Sequence, residues 1–329
     1  MDAVLRRLLP VVTALAVLAG AAHAHTASAA ATPSPTKGVV LVNTNLGLEN
    51  GSAAGTGIVV TKTGEVLTNN HVIDGATSIK VTVPATKRSY VADVIGYDMT
   101  DDVALLQLEG AKNLATATMG NSAKVKIGQA TRAVGNANGG GKLVVTSGKV
   151  IALKQKISVQ QDDGEVAPLA YLIETSAHLV PGDSGGPLID KLGHVIGIDA
   201  AGSSSAAATN PPGYAIAINH ALTIVKQIAA LRASSLVHIG ATAFMGIDVE
   251  LTPTGLTVAD VIPGSPSETA GLQAGDVITS VDGTAISSLG SLRTVLFQHH
   301  PGDGITVAYT DAFGNAATAT VTLTSGPPQ

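Results

Sequence analysis

The segment Pro181-Gly182-Asp183-Ser184-Gly185-Gly186-Pro187 sets a serine among glycines. Glycine lets the backbone bend tightly and leaves neighbouring N–H groups free. The segment can therefore present a hydroxyl beside donors able to hold a developing oxyanion, which is the chemistry of acyl transfer. Taken alone, the same residues also fit a Gly/Pro turn between two strands. Serine is a weak nucleophile without a base, and the base needs an orienting acid. The chain offers Thr68-Asn69-Asn70-His71-Val72-Ile73 and, further on, Asp101-Asp102-Val103-Ala104-Leu105-Leu106. His, Asp, Ser is one of the chain orders in which a catalytic triad occurs. That order nominates His71 as base, Asp102 as orienting acid and Ser184 as nucleophile. His194, His220, His238, His299 and His300 fall in turn or helix positions without an acidic partner of note.

These residues need a scaffold. From Gly38 to about Leu108, short apolar runs such as Val39–Val42, Gly57–Val60, Glu65–Thr68, Ile79–Val83, Val91–Ile95 and Val103–Leu106 alternate with Gly, Asn, Asp and Pro. Six strands at this spacing predict a small antiparallel barrel. A second set, Ala130–Val134, Leu143–Leu153, Ile157–Val159, Ala170–Thr175, Pro187–Asp190, His194–Asp199 and Tyr214–Ile218, predicts another of similar size. Base and acid then sit on the first barrel, the nucleophile on the second, and the site in the cleft between them. Asn219–Leu231 reads as a closing helix capped by Asn219, and 233–238 as a linker. Residues Ile239–Leu323 read as a separate domain of mixed strands and helices, with Leu289–Gln298 an amphipathic helix. Ala200–Pro212 is an Ala/Ser/Gly/Pro loop.

The 329 residues are 45% hydrophobic and 13% charged, with a net charge of -5, enough chain for several cores. The mild acidity and the lack of a basic stripe argue against nucleic acid. With Cys 0, disulfides and thiolate metal sites are excluded, and with aromatics at 2% the cores must be built from Val, Ile, Leu and Ala. Arg6 and Arg7 precede an apolar run, Leu8–Ala22, that ends in Ala22-His23-Ala24. This pattern predicts a signal peptide over 1–24, cleaved after about Ala24. The alternative, an uncleaved anchor, requires roughly 20 apolar residues, and Pro10 interrupts a shorter run. Residues 25–37 read as a flexible leader.

At these motifs the chain resembles the HtrA/Deg family of trypsin-like serine proteases with a C-terminal PDZ domain. Within the family it looks most like the secreted, PepA-like proteases of actinobacteria. The resemblance rests on Asn69-Asn70-His71-Val72, Gly96-Tyr97-Asp98 to Ala104, Pro181–Pro187, Gly213-Tyr214-Ala215-Ile216, His238–Phe244 and His299–Asp303. It implies a mainly β fold, a chymotrypsin-like double β-barrel over 38–232 followed by a small α+β PDZ domain over 239–325. It also implies endopeptidase activity without a cofactor or metal. By position, His71, Asp102 and Ser184 are the triad, and the oxyanion hole involves Gly182, Asp183 and Ser184, with the N–H groups of Gly182 and Ser184 as donors. His178, Ala200 and Gly202 fall in the specificity pocket. His178 replaces a frequent Ala, Asp183 a frequent Asn, and Ser176 a frequent Asp. Phe244-Met245-Gly246-Ile247 matches the PDZ carboxylate-binding loop, with Asp248–Glu250 an edge strand open to an added peptide strand.

The resemblance implies polypeptide substrates, unfolded or damaged proteins of the envelope or exterior, and a PDZ groove for C-terminal or hydrophobic segments. It implies an exported location, in the periplasmic space or secreted, with membrane contact only through an uncleaved signal segment. Family trimers use an aromatic N-terminal segment. His25–Asn50 contains no Phe, Tyr or Trp, which favours a monomer. The alternative reading is a peptide-binding, chaperone-like protein with a mostly latent cleft.

Overall fold

The computed structural model describes residues 34–48, 50–160, 166–202 and 212–329. The expected signal peptide, most of the expected leader and most of the Ala200–Pro212 loop lie outside the described residues.

The first barrel contains β1 (Val39–Leu46), β2 (Gly51–Val59), β3 (Glu65–Thr68), β4 (Ser78–Val83), β5 (Arg88–Asp98) and β6 (Val103–Leu108). Its pairing order is β5-β4-β1-β2-β3-β6, and β5 also pairs with β6, so the sheet closes. β2 begins at Gly51, earlier than the sequence reading placed it, because Leu46 opposite Gly51 closes a hairpin with β1. β7 (Thr118–Met119) is a short strand that pairs in parallel with His194 and Val195. The second barrel contains β8 (Ala130–Gly135), β9 (Val144–Gln160), β10 (Val166–Thr175), β11 (Pro187–Ile189), β12 (His194–Gly202) and β13 (Gly213–Ala217). It closes through pairing of β11 with both β8 and β12. The two predicted strands 143–153 and 157–159 are one long strand, β9, bent by register shifts against β10.

The chain is mainly β, with each barrel a closed ring of six strands. Closure removes the edges that an open sheet would leave unpaired. The largest fully buried side chains are Tyr97 and a set of Ile and Leu residues, among them Ile58, Leu67, Leu105, Leu172 and Ile198. Each contributes on the order of 1.5–3 kcal/mol of transfer free energy, so aliphatic burial does most of the stabilising in a chain this poor in aromatics.

Helix α1 (Ile218–Ala229) follows β13 and buries Ile218, Ala221, Ile224, Val225 and Ile228. Asn219 does not cap it. Ala217 is the N-cap, and the Asn219 carboxamide instead accepts from Ser122 N–H and donates to Asn121 Oδ1. The stretch read as a linker runs into β14 (Val237–Ile239), which pairs with β5 of the first barrel.

The C-terminal domain holds β15 (Thr242–Phe244), β16 (Ile247–Thr252), β17 (Gly255–Val261), α2 (Pro266–Ala270), β18 (Val277–Val281), β19 (Thr284–Ala285), α3 (Leu289–Leu296), β20 (Gly304–Thr310), β21 (Ala316–Thr322) and β22 (Thr324–Gly326). Its main sheet runs β16-β17-β18-β20-β21, with β16 at an edge, and β15 pairs with β22. Helix α3 starts at a Ser288/Ser291 capping box. The described residues form one compact unit.

Candidate active site

His71 opens the helical turn that follows β3. The Asn70 carbonyl accepts from the N–H groups of Ile73 and Asp74, which winds the turn. Asp102 lies between β5 and β6 with φ of 52°, a left-handed conformation that short polar side chains tolerate. The two loops meet. His71 Nδ1 lies 3.0 and 2.9 Å from the two Asp102 carboxylate oxygens, and the His71 backbone N–H donates to Asp102 Oδ1 at 3.0 Å. A proton on Nδ1 satisfies the carboxylate and leaves Nε2 as an acceptor.

Ser184 sits in the loop between β10 and β11, and its hydroxyl donates to the Ala200 carbonyl at 3.3 Å. The peptides around it are oriented by neighbours. Asn138 N–H donates to the Pro181 carbonyl at 2.6 Å, and Gly186 N–H donates to the Asp183 carbonyl at 2.9 Å. A trans peptide points its N–H opposite its carbonyl. Each bond therefore turns the next amide, Gly182 N–H or Ser184 N–H, the other way. Among the described residues neither amide has a hydrogen-bond partner. Gly182 adopts φ of +93°, and a Cβ there would meet the Asn136 carbonyl oxygen at 2.3 Å. Only glycine fits. The Asp183 amide is not a third donor, because it is used on the Val180 carbonyl at 3.0 Å.

Three polar residues that sequence reasoning did not single out hold this arrangement. The Thr56 hydroxyl donates to the Gly182 carbonyl at 2.7 Å and accepts from Asn136 N–H at 2.8 Å. Thr68 donates its hydroxyl to the Thr56 carbonyl at 2.8 Å. Asn69 donates to the Asp102 carbonyl at 2.8 Å and accepts from Gly185 N–H at 2.7 Å, so one carboxamide ties the acid loop to the nucleophile loop. All three are fully buried. The signal was there: Thr68 and Asn69 directly precede Asn70-His71, and polar residues at the end of a buried strand need partners.

Asp183 is nearly buried and its carboxylate accepts from Val180 N–H at 3.0 Å. Burial raises its pKa, partly offset by that bond and by the charge of His178. Asp199 is wholly buried, and neither carboxylate oxygen has a hydrogen-bond partner among the described residues. Burial, then the nearby Asp183 charge, pushes it well above the usual carboxylate range.

The expected pocket residues separate. Ala200 is buried, and Gly202 pairs with Gly213 across β12 and β13. His178 is exposed, whereas Leu179 beside it is buried, and a Cβ on Gly213 would meet Leu179 Cγ at 2.6 Å. Burial alternates from Thr175 to Leu179, so the inward position falls to Leu179 and not to His178.

Histidines read as lacking acidic partners have them in three dimensions. His194 lies 3.2 Å from Asp190, His220 3.0 Å from Asp101 and His299 3.4 Å from Asp282. Topology, not sequence distance, brings His220 and Asp101 together. No group of three or more His, Asp and Glu among the described residues could hold a metal ion.

In the C-terminal domain the loop Phe244-Met245-Gly246-Ile247 turns at Gly246 with φ of +79°, where a Cβ would meet Ser265 Cβ at 2.3 Å. Its carbonyls are used: Met245 accepts from Ser267 N–H and Gly246 from Ile262 N–H, both at 3.0 Å. The edge strand β16 begins at Ile247, and α3 contacts it.

Comparison with known proteins agrees with this architecture. Residues 55–198, which span His71, Asp102 and Ser184, match the model of the trypsin-like peptidase domain, and residues 243–323 match that of the PDZ domain. Protease Do-like 1 of Arabidopsis thaliana chloroplasts is 35% identical over 273 residues, 79% of this chain and 61% of that protein. Serine protease PepD of Mycobacterium tuberculosis is 30% identical over 304 residues, 87% of this chain and 63% of the relative. The periplasmic serine endoprotease DegP of Escherichia coli is 35% identical over 251 residues, 73% of this chain and 51% of DegP. The chain thus spans about half to three fifths of the length of these relatives. Among solved structures, the HtrA-type protease AlgW with a tripeptide superposes with a TM-score of 0.51 at 28% identity, covering 90% of this chain and 99% of that one.

Proposed function

Because this chain belongs to the HtrA-type family of trypsin-like peptidases bearing a PDZ domain, we propose that it is an exported serine endopeptidase acting on unfolded or damaged proteins. Its protease domain covers 38–232 and its PDZ domain 239–325. The observation that carries the reading is that the Gly182 and Ser184 amides beside the Ser184 hydroxyl have no hydrogen-bond partner among the described residues, while the candidate base is oriented by Asp102.

In the proposed reaction, the Ser184 hydroxyl leaves the Ala200 carbonyl and gives its proton to His71 Nε2 as Oγ attacks the scissile carbonyl carbon. The C=O electron pair moves onto oxygen, and the Gly182 and Ser184 amides stabilise the oxyanion. Asp102 stabilises the imidazolium. Collapse breaks the C–N bond, and His71 protonates the leaving amine. Water, deprotonated by His71, then releases the acyl group from Ser184.

The PDZ domain is proposed to bind a C-terminal or hydrophobic peptide segment between β16 and α3, with Gly246 letting the backbone approach a carboxylate. Side-chain preference at the cleft is proposed to rest on buried Leu179 more than on exposed His178. A peptide-library profile of His178→Ala that differs sharply from wild type would reverse that order. Relatives named as periplasmic support export. A monomer is favoured over a trimer, and a sedimentation mass near three chains overturns this.

A fluorophosphonate probe tests the central reading. Wild type is expected to label at Ser184, with labelling abolished in Ser184→Ala and strongly reduced in His71→Ala. Wild type that stays unlabelled, with or without a peptide ligand, favours the chaperone-like alternative instead.

A further inference from the structure

The residues after β22 do not stay with the PDZ domain. They cross to the first barrel and reach the turn that carries His71. Gly75 N–H donates to the Pro328 carbonyl at 2.9 Å, and the Asn70 carboxamide donates to the Gln329 carbonyl at 3.0 Å. Gln329 N–H in turn donates to the Tyr97 hydroxyl at 3.4 Å, and that hydroxyl shares a 3.2 Å hydrogen bond with Thr242 of β15. Both ends of the Asn70–Gly75 turn are therefore held by backbone atoms of two residues far away in sequence. Asn70 is buried and directly precedes His71. Its carbonyl winds the turn, and its side chain is the one the tail grips.

The seat is a packed junction. Tyr97 is fully buried, with its ring 5.1 Å from that of His238 on β14 and 6.0 Å, edge-on, from that of Phe297 just after α3. Phe297 is part of the first barrel's own hydrophobic core. Burial raises the pKa of the Tyr97 hydroxyl, and its hydrogen bonds to Thr242 and Gln329 offset part of that. Tyr97 also precedes Asp98, whose carboxylate accepts from Asp101 N–H at 3.0 Å beside Asp102. One tyrosine thus lies under both loops of the candidate base and acid.

We propose that Pro328 and Gln329 are positioning residues for His71, holding the Asn70–Gly75 turn so that the imidazole keeps its register with Asp102 and Ser184. The inference rests on the protease reading. A base displaced by a fraction of an ångström still binds substrate but transfers the proton poorly, so the loss falls on kcat rather than KM.

The test uses fluorescein-labelled β-casein turnover and fluorophosphonate labelling. It compares wild type, a chain lacking Pro328 and Gln329, Asn70→Ala, and the double variant, each with its thermal melt. The tail deletion is expected to lower kcat roughly tenfold to a hundredfold with KM little changed. Asn70→Ala is expected to do the same, and the double variant should be no worse than the worse single one, since the deletion already removes the bond that Asn70→Ala breaks. Deletion with wild-type kcat, or losses that simply multiply in the double variant, overturns the proposal. If the deletion does not fold, Asn70→Ala in the full chain decides alone, and wild-type kcat there sinks it. A merely structural tail lowers the melting temperature and leaves kcat per folded molecule unchanged. Wild type that neither labels nor cleaves casein removes the protease reading itself, whereas active wild type with indifferent variants removes only the tail's role.

Discussion

The Thr56 hydroxyl, on a strand of the first barrel, donates to the Gly182 carbonyl of the second at 2.7 Å. This bond joins the two barrels at the Gly182–Asp183 peptide, which lies between the two amides proposed as oxyanion donors. The same hydroxyl accepts from Asn136 N–H. Thr56→Val keeps the shape and leaves a buried carbonyl and a buried amide unpaired, at about 1–3 kcal/mol each. Turnover of a peptide substrate is expected to fall roughly tenfold to a hundredfold, mainly in kcat, as in other losses of oxyanion stabilisation. Unchanged kcat would show that the loop holds its shape without Thr56.

Asn69 joins the Asp102 loop to the Gly185 amide. Asn69→Ala removes both bonds from a fully buried site. A loss of about 2–4 kcal/mol of stability is expected in urea unfolding. Fluorophosphonate labelling should slow as well, because acid and nucleophile lose their common tether. A loss of stability without slower labelling would assign Asn69 to the fold alone.

Asp98 gives a pH prediction. Burial raises its pKa from 3.8 to about 6, with the Asp101 N–H bond pulling the other way. The folded protein then holds this proton more tightly than the unfolded chain does. Asp98 therefore costs nothing below about pH 4, and its penalty grows as pH rises through about 6, reaching roughly 2–3 kcal/mol. Asp98→Asn is neutral at every pH and can still accept from Asp101. The variant should gain stability relative to wild type as pH rises from about 4 to about 6, seen as a difference in melting temperature that widens over that range and then levels off. A pH-independent difference contradicts the raised pKa.

Gly246 turns the candidate carboxylate loop with φ of +79°, and a Cβ there would press on Ser265. Gly246→Ala is expected to weaken binding of a peptide with a hydrophobic C-terminus by at least about tenfold in calorimetry, since loop and Ser265 cannot both keep their places. Equal affinity would move the peptide site elsewhere on the domain.

Much of the molecule could be read from local pattern. Short apolar runs punctuated by Gly, Asn and Pro placed most strands of both barrels, because a strand buried on both faces is apolar throughout and a turn needs those residues. The helix N-cap was misread at Asn219, since a side chain suited to capping also suits the Ser122 loop that folding brings beside it. The acidic partners of His194, His220 and His299 were missed. His220 and Asp101 lie on elements joined only by the packing of α1 on the first barrel.

The sequence by itself determined the chemistry on offer: a serine among glycines, with a histidine and an aspartate upstream in a workable order. Residue type and short-range backbone freedom are enough for that. Only the tertiary structure decided which amides are free, that Asp183 N–H is spent on Val180, that Leu179 turns in while His178 turns out, and that Pro328 and Gln329 come to rest against the His71 turn. Apart from the local Asp183–Val180 bond, these depend on contacts between residues distant in sequence. Their donors and acceptors are common residues with no spacing to betray them until the barrels close.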